Sequence, residues 1–127
     1  MKKFLTTILA IAAAPVMLFA GEFPDISIAE LKKAIADKKV VVIDVNGGES
    51  YKSGHIPTAL NYGEVQNNLG AVLPKEKDAL VVAYCGGPSC NAYTRAANAA
   101  TKLGYTNVKH LSAGISGWLQ AKEETEK

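Results

Sequence analysis

Two cysteines five positions apart bracket the segment Cys85-Gly86-Gly87-Pro88-Ser89-Cys90-Asn91. The run before it, Leu80-Val81-Val82-Ala83-Tyr84, is continuously apolar, the pattern of a strand buried on both faces. The run after it, from Asn91 to Leu103, is helical by composition, and its alanines at 92, 96, 97, 99 and 100 let it approach a sheet closely. Strand, tight loop and helix start together can gather backbone N–H groups. Gly86 and Gly87 permit the conformations of an anion-binding nest, and a helix opening near Cys90 or Asn91 adds free N–H groups and a positive dipole end. The expected cradle therefore comprises Gly86, Gly87, Pro88, Ser89, Cys90 and Asn91. A cysteine at its floor is favoured as the thiolate, and the same donors would steady a persulfide anion. The bland alternative is an inert, buried cysteine beside a glycine turn.

The other chemistry-bearing residues are fewer and weaker. Asp44 closes a second apolar run, Val40-Val41-Val42-Ile43, and is expected to accept hydrogen bonds from nearby backbone or from His55. His55 lies in Gly54-His55-Ile56-Pro57 and reads as a residue that fixes the turn. Arg95, the chain's single arginine, falls about one turn into the helix after the loop, at the rim of the site or simply in solvent. His55 and His110 do not share the close paired spacing with the two cysteines that zinc sites use, so no metal site is expected. Trp118 reads as core.

The elements that must position these residues alternate. Ser27-Ile28-Ala29-Glu30 is a capping box opening a helix with Leu31, Ala34 and Ile35 on one face. Strands are expected at 40–43, 59–61, 80–84 and 108–111. Short helices are expected around Tyr51 and over 64–70, and longer ones from Asn91 and around Trp118, with Gly104 ending the former and a solvated Lys122–Lys127 tail. Strands alternating with helices imply an α/β fold with a mostly parallel central sheet covered by helices on both faces. Ligands in such folds sit beyond the carboxyl ends of the strands, where Cys85 lies.

The N-terminus bears on compartment. Lys2 and Lys3 precede an apolar run from Phe4 to Ala20, and Leu18-Phe19-Ala20 ends it ahead of Gly21 and Glu22. This is the layout of a signal peptide over residues 1–20, with a mature domain over 21–127 and a periplasmic destination. The apolar run from Phe4 to Ala20 is seventeen residues, short of the roughly 20 that span a bilayer, so no membrane association is expected after cleavage. Without Lys2 and Lys3, twelve basic residues balance twelve acidic ones. A neutral mature chain with one arginine argues against nucleic acid as a partner, and 107 residues suit one domain.

Three segments together resemble a known family. Val42-Ile43-Asp44-Val45 followed by Ser50-Tyr51-Lys52-Ser53-Gly54-His55-Ile56-Pro57-Thr58-Ala59-Leu60-Asn61 is similar to the first signature of rhodanese-like domains. Val81 to Cys85, the loop and the Ala-rich helix resemble that family's strand, catalytic cysteine and helix. Leu111-Ser112-Ala113-Gly114-Ile115-Ser116-Gly117-Trp118 resembles its closing motif. The resemblance implies a rhodanese fold and sulfurtransferase chemistry without a cofactor. Cys85 would take a sulfane sulfur from a small sulfur-containing donor, become a persulfide, and yield the sulfur to a thiol acceptor.

Two departures qualify it. Where family members often carry an arginine after the Asp-Val pair, this chain has Asn46, and where another stands late in the loop it has Cys90 and Asn91. A cationic partner for thiosulfate is thus missing. Related phosphatases use Cys-x5-Arg, and the sixth residue after Cys85 is Asn91, which cannot clamp phosphoryl oxygens. Cys90 is left with three readings: a bystander, a resolving thiol for a Cys85 persulfide, or half of a disulfide that silences transfer until reduced. The rival functions are a binding module that kept the fold without the chemistry, and a thiol–disulfide redox protein using both cysteines.

Overall fold

The computed structural model describes residues 23–127, so the expected signal peptide and its cleavage point near Gly21 lie outside the described residues. Four parallel strands form one sheet in the order β2-β1-β3-β4, with β1 at Val40–Asp44, β2 at Leu60–Asn61, β3 at Leu80–Tyr84 and β4 at Asn107–His110. The two apolar runs become the two central strands, paired in register from Val40 with Leu80 to Asp44 with Tyr84. Side chains alternate across a strand, which divides β3 between two cores. Val81, Ala83 and Cys85 join Ile43, Val45, Tyr93, Ala96, Ala97 and Ala100 on one face. Val82 and Tyr84 join Val42, Leu31, Ile56, Leu111 and Trp118 on the other.

Among the described residues six α-helices flank the sheet: α1 at Ile28–Ala36, α2 at Gly48–Ser53, α3 at Tyr62–Val65, α4 at Leu69–Val72, α5 at Tyr93–Lys102 and α6 at Gly114–Gln120. The capping box at α1 is complete, with the Glu30 N–H donating to Ser27 Oγ at 3.1 Å and the Ser27 N–H to Glu30 Oε1 at 3.3 Å. Ala96, Ala97 and Ala100 are fully buried, so the small residues of α5 do bring it onto the sheet.

Three expectations need correction. The single helix foreseen over 64–70 is instead α3, a 3-10 turn over Gln66–Asn68, and α4, because Asn61 Oδ1 accepts from the Gly63 N–H and starts the helical turn early. Helix α5 opens at Tyr93, two residues later than Asn91. The tail is not merely solvated. His55 and Glu126 exchange both backbone hydrogen bonds at 2.9 Å, Trp118 Nε1–H donates to the Glu124 carbonyl at 2.7 Å, and Lys32 pairs with Glu123 at 2.8 Å.

Candidate active site

β3 delivers Cys85 to the carboxyl end of the sheet with only 1% of its surface exposed. The chain then turns back on itself. The Cys90 N–H donates to the Gly87 carbonyl at 3.1 Å, closing a turn over Pro88 and Ser89 before α5 begins. Helix α6 holds the loop from below through backbone alone: the Ile115 N–H donates to the Cys85 carbonyl at 3.0 Å and the Ser116 N–H to that of Gly86 at 2.9 Å. The approach requires glycine at position 114. Gly114 has a φ of +60°, and a Cβ there would stand 2.6 Å from Gly86 C and Gly87 N and 2.7 Å from the Cys85 oxygen.

The turn brings the two cysteines together. Their sulfurs are bonded across a Cα separation of 6.3 Å, within the roughly 4.4–6.8 Å that disulfides span. Cys90 is partly buried and packs against the same core as Cys85.

The expected cradle is narrower than its six residues suggested. Pro88 has no N–H to offer, and that of Cys90 is taken by Gly87. The N–H groups of Gly86, Gly87 and Ser89 have no acceptor among the described residues. Ser89 and Asn91 are exposed at the rim, and the Asn91 carbonyl accepts from Thr94 through both N–H and Oγ1. No side chain caps the start of α5, whose first N–H groups adjoin the loop.

The supporting residues disperse. Asp44 is 1% exposed, with Oδ2 accepting from the Tyr84 hydroxyl at 2.5 Å and Oδ1 from the Asn46 N–H at 2.8 Å. The Tyr84 oxygen in turn accepts from the Ile56 N–H at 3.1 Å. Burial first, then the hydrogen bond and charge of Asp44, hold the Tyr84 phenol far above its ordinary range, so it stays protonated and donates. This hub lies on the sheet face opposite Cys85, and its side-chain partner is Tyr84 rather than His55. His55 stacks on Tyr51 with ring centres 3.6 Å apart, its Nδ1 lies 2.8 Å from the Tyr51 carbonyl, and its backbone pairs with Glu126. Arg95 is exposed and rests over the Tyr62 ring, 5.9 Å from its centre.

Three features lie outside the site residues that the sequence offered. Asn46 Nδ2 is buried without a hydrogen-bond partner among the described residues, while Oδ1 lies 4.0 Å from where a Gly86 Cβ would stand. An amide thus borders the loop where an arginine was looked for. His110 stacks on Tyr93 with centres 3.4 Å apart, and burial pushes its imidazole below the usual histidine range despite the opposing charge of Asp25. Gly114 is the third. Its motif was visible, but the contact that demands glycine was not.

A parallel four-stranded sheet covered by helices, with a buried cysteine at the end of a central strand, is the α/β arrangement that the sequence led us to expect of a rhodanese-like domain. The chain belongs to the rhodanese-like domain family, whose model matches residues 27–121. Among curated relatives it is 33% identical over 92 residues to the uncharacterized protein YibN of Escherichia coli, covering 70% of this chain and 62% of YibN. It therefore spans about three fifths of that relative. It is 29% identical over 104 residues to the thiosulfate sulfurtransferase GlpE of Shewanella oneidensis, covering 80% of this chain and 97% of GlpE. Among solved structures, the BH2092 protein of Bacillus halodurans superposes with a TM-score of 0.63 at 32% identity, over 82% of this chain and 77% of the other. The human single-domain sulfurtransferase TSTD1 shares the fold with a TM-score of 0.62 at 22% identity, over 81% of this chain and all of that one.

Proposed function

We propose that this chain is a sulfurtransferase in which Cys85 takes a sulfane sulfur, carries it as a persulfide and passes it to a thiol. Family membership and the likeness to a thiosulfate sulfurtransferase matched over 97% of its own length support a sulfurtransferase-type function. The observation that carries the finer assignment is Cys85 itself, buried at the end of β3 beside three backbone N–H groups that have no acceptor among the described residues. With the disulfide reduced, the Cys85 thiolate attacks the outer sulfur of the donor. The donor's S–S bond breaks, a thiolate leaves from an organic persulfide or sulfite from thiosulfate, and the new terminal sulfur is stabilised as an anion by those N–H groups. An acceptor thiolate then takes that sulfur and releases Cys85.

The loop carries no cation, and Arg95 lies over Tyr62. An organic persulfide is therefore the better donor, and thiosulfate, a dianion, the poorer one. The leader-like residues 1–20 point to work in the periplasm, and N-terminal sequencing of the exported protein is expected to start near Gly21. The central test compares wild type with Cys85→Ser after reduction, using glutathione persulfide or thiosulfate as donor and cyanide as acceptor. Transfer is expected to vanish in the variant with both donors while its circular dichroism stays native. Equal transfer by the serine variant would remove Cys85 from the reaction.

A further inference from the structure

We infer that Cys90 is a resolving thiol that discharges the Cys85 persulfide as sulfide, so that the protein is also a dithiol-dependent persulfide reductase. The inference rests on the proposed persulfide at Cys85 and adds a second fate for its sulfur. Its ground is the partner that the structure gives Cys85. The Gly87–Cys90 turn folds Cys90 back so that its sulfur reaches Cys85 Sγ, the inner sulfur of the persulfide, within one loop. Cys85 is closed off from solvent at 1% exposure, whereas Cys90 already lies in the same core. An outside thiol must find this sulfur by diffusion, while Cys90 meets it at the high effective concentration of a neighbour on the same loop.

The step balances without any further oxidant. Cys90 loses its proton and its thiolate attacks Cys85 Sγ. The Cys85–Cys90 bond forms, the bond from Cys85 Sγ to the terminal sulfur breaks, and the proton leaves with that sulfur as HS⁻. The sulfane sulfur is reduced by two electrons and the two cysteines are oxidised to the disulfide seen here. A second cycle requires a dithiol reductant, which opens the bridge and returns both thiols. A reaction class that supplies electrons through a dithiol must therefore act on this protein between cycles. A monothiol acceptor, by contrast, sustains the ordinary transfer without passing through the bridge.

The test is a single turnover of the reduced chain, freed of reductant and treated with glutathione persulfide as the probe. Released sulfide and the intact mass of the protein are followed together. Wild type is expected to release stoichiometric sulfide with no added thiol and to end two hydrogens lighter than the reduced protein. Cys90→Ser and Cys90→Ala are expected to load the same sulfur, stay one sulfur atom heavier, and release sulfide only at background. Dithiothreitol should convert the wild-type burst into continuous release. A wild type that keeps its extra sulfur as long as the Cys90 variants do would overturn the resolving role and leave the persulfide at Cys85 standing. If neither wild type nor the Cys90 variants load sulfur at all, the persulfide itself falls, and the resolving step with it.

Discussion

Replacing Gly114 by alanine tests whether the α6 contact shapes the active loop. Two costs add in the folded state. Alanine at a φ of +60° carries the left-handed penalty, about 1–2 kcal/mol. Its Cβ would also press on Gly86 C and Gly87 N from 2.6 Å, nearly 1 Å inside the ~3.5 Å at which carbon atoms attract. Both atoms are backbone, so no side chain can swing away, and overpacking of this kind costs about 1–3 kcal/mol. The stiffer unfolded chain returns about 0.4–1 kcal/mol, leaving a net loss of about 1–5 kcal/mol. Gly104→Ala is the matched control, since it too has positive φ (+97°) but would meet only the Lys77 side chain at 3.9 Å. Urea unfolding of both variants separates the conformational cost from the contact cost, as midpoints falling at constant slope. If the loop gives way by about 1 Å, sulfur transfer should also fall, by up to ~100-fold, whereas Gly104→Ala should transfer normally. A Gly114→Ala protein no less stable than Gly104→Ala, with full transfer, would refute the claim that α6 sets the loop.

Two further outcomes follow from the residues around the sheet. Tyr84→Phe strips the buried Asp44 of a donor and the Ile56 N–H of its acceptor. Stability in urea should fall by about 2–4 kcal/mol, while sulfur loading of Cys85, on the opposite face, persists in the folded fraction. His110 binds its proton less readily when folded than at its ordinary 6.5. Its stability contribution is therefore complete above that value and is lost as pH falls below it toward the lowered folded one. The urea midpoint of wild type should drop between about pH 7 and pH 5.5, and His110→Phe, which keeps a ring to stack on Tyr93, should flatten that drop. An unchanged slope in the variant would assign the loss to another group.

The central strands and the first helix were legible because their physics is written in residue type. A strand covered on both faces needs unbroken apolar residues, so Val40–Ile43 and Leu80–Tyr84 announced β1 and β3. A capping box needs a hydroxyl and a carboxylate three apart, and Ser27 and Glu30 supplied them. The tail was not legible because its anchor is a backbone exchange between His55 and Glu126, which no residue type signals, in a segment whose charges read as solvated. Tyr84 looked like one more core residue. Only the alternation of β3 against β1 put its hydroxyl on Asp44. The loop's donors were overcounted for a similar reason, since composition does not tell which N–H a turn will consume, as Gly87 consumes that of Cys90.

The way α6 grips the loop has a consequence for how this protein can change. The bonds from Ile115 and Ser116 end on the carbonyls of Cys85 and Gly86, atoms that every amino acid possesses. Pro88, Ser89 and Asn91 hang beyond that grip, and none of their side chains takes part in it. Substitutions at those three positions can alter charge and shape around the sulfur while the scaffold beneath stays put. The rim is thus an interchangeable cassette, free to vary in charge and shape while Gly114 and the bonds beneath it stay as they are.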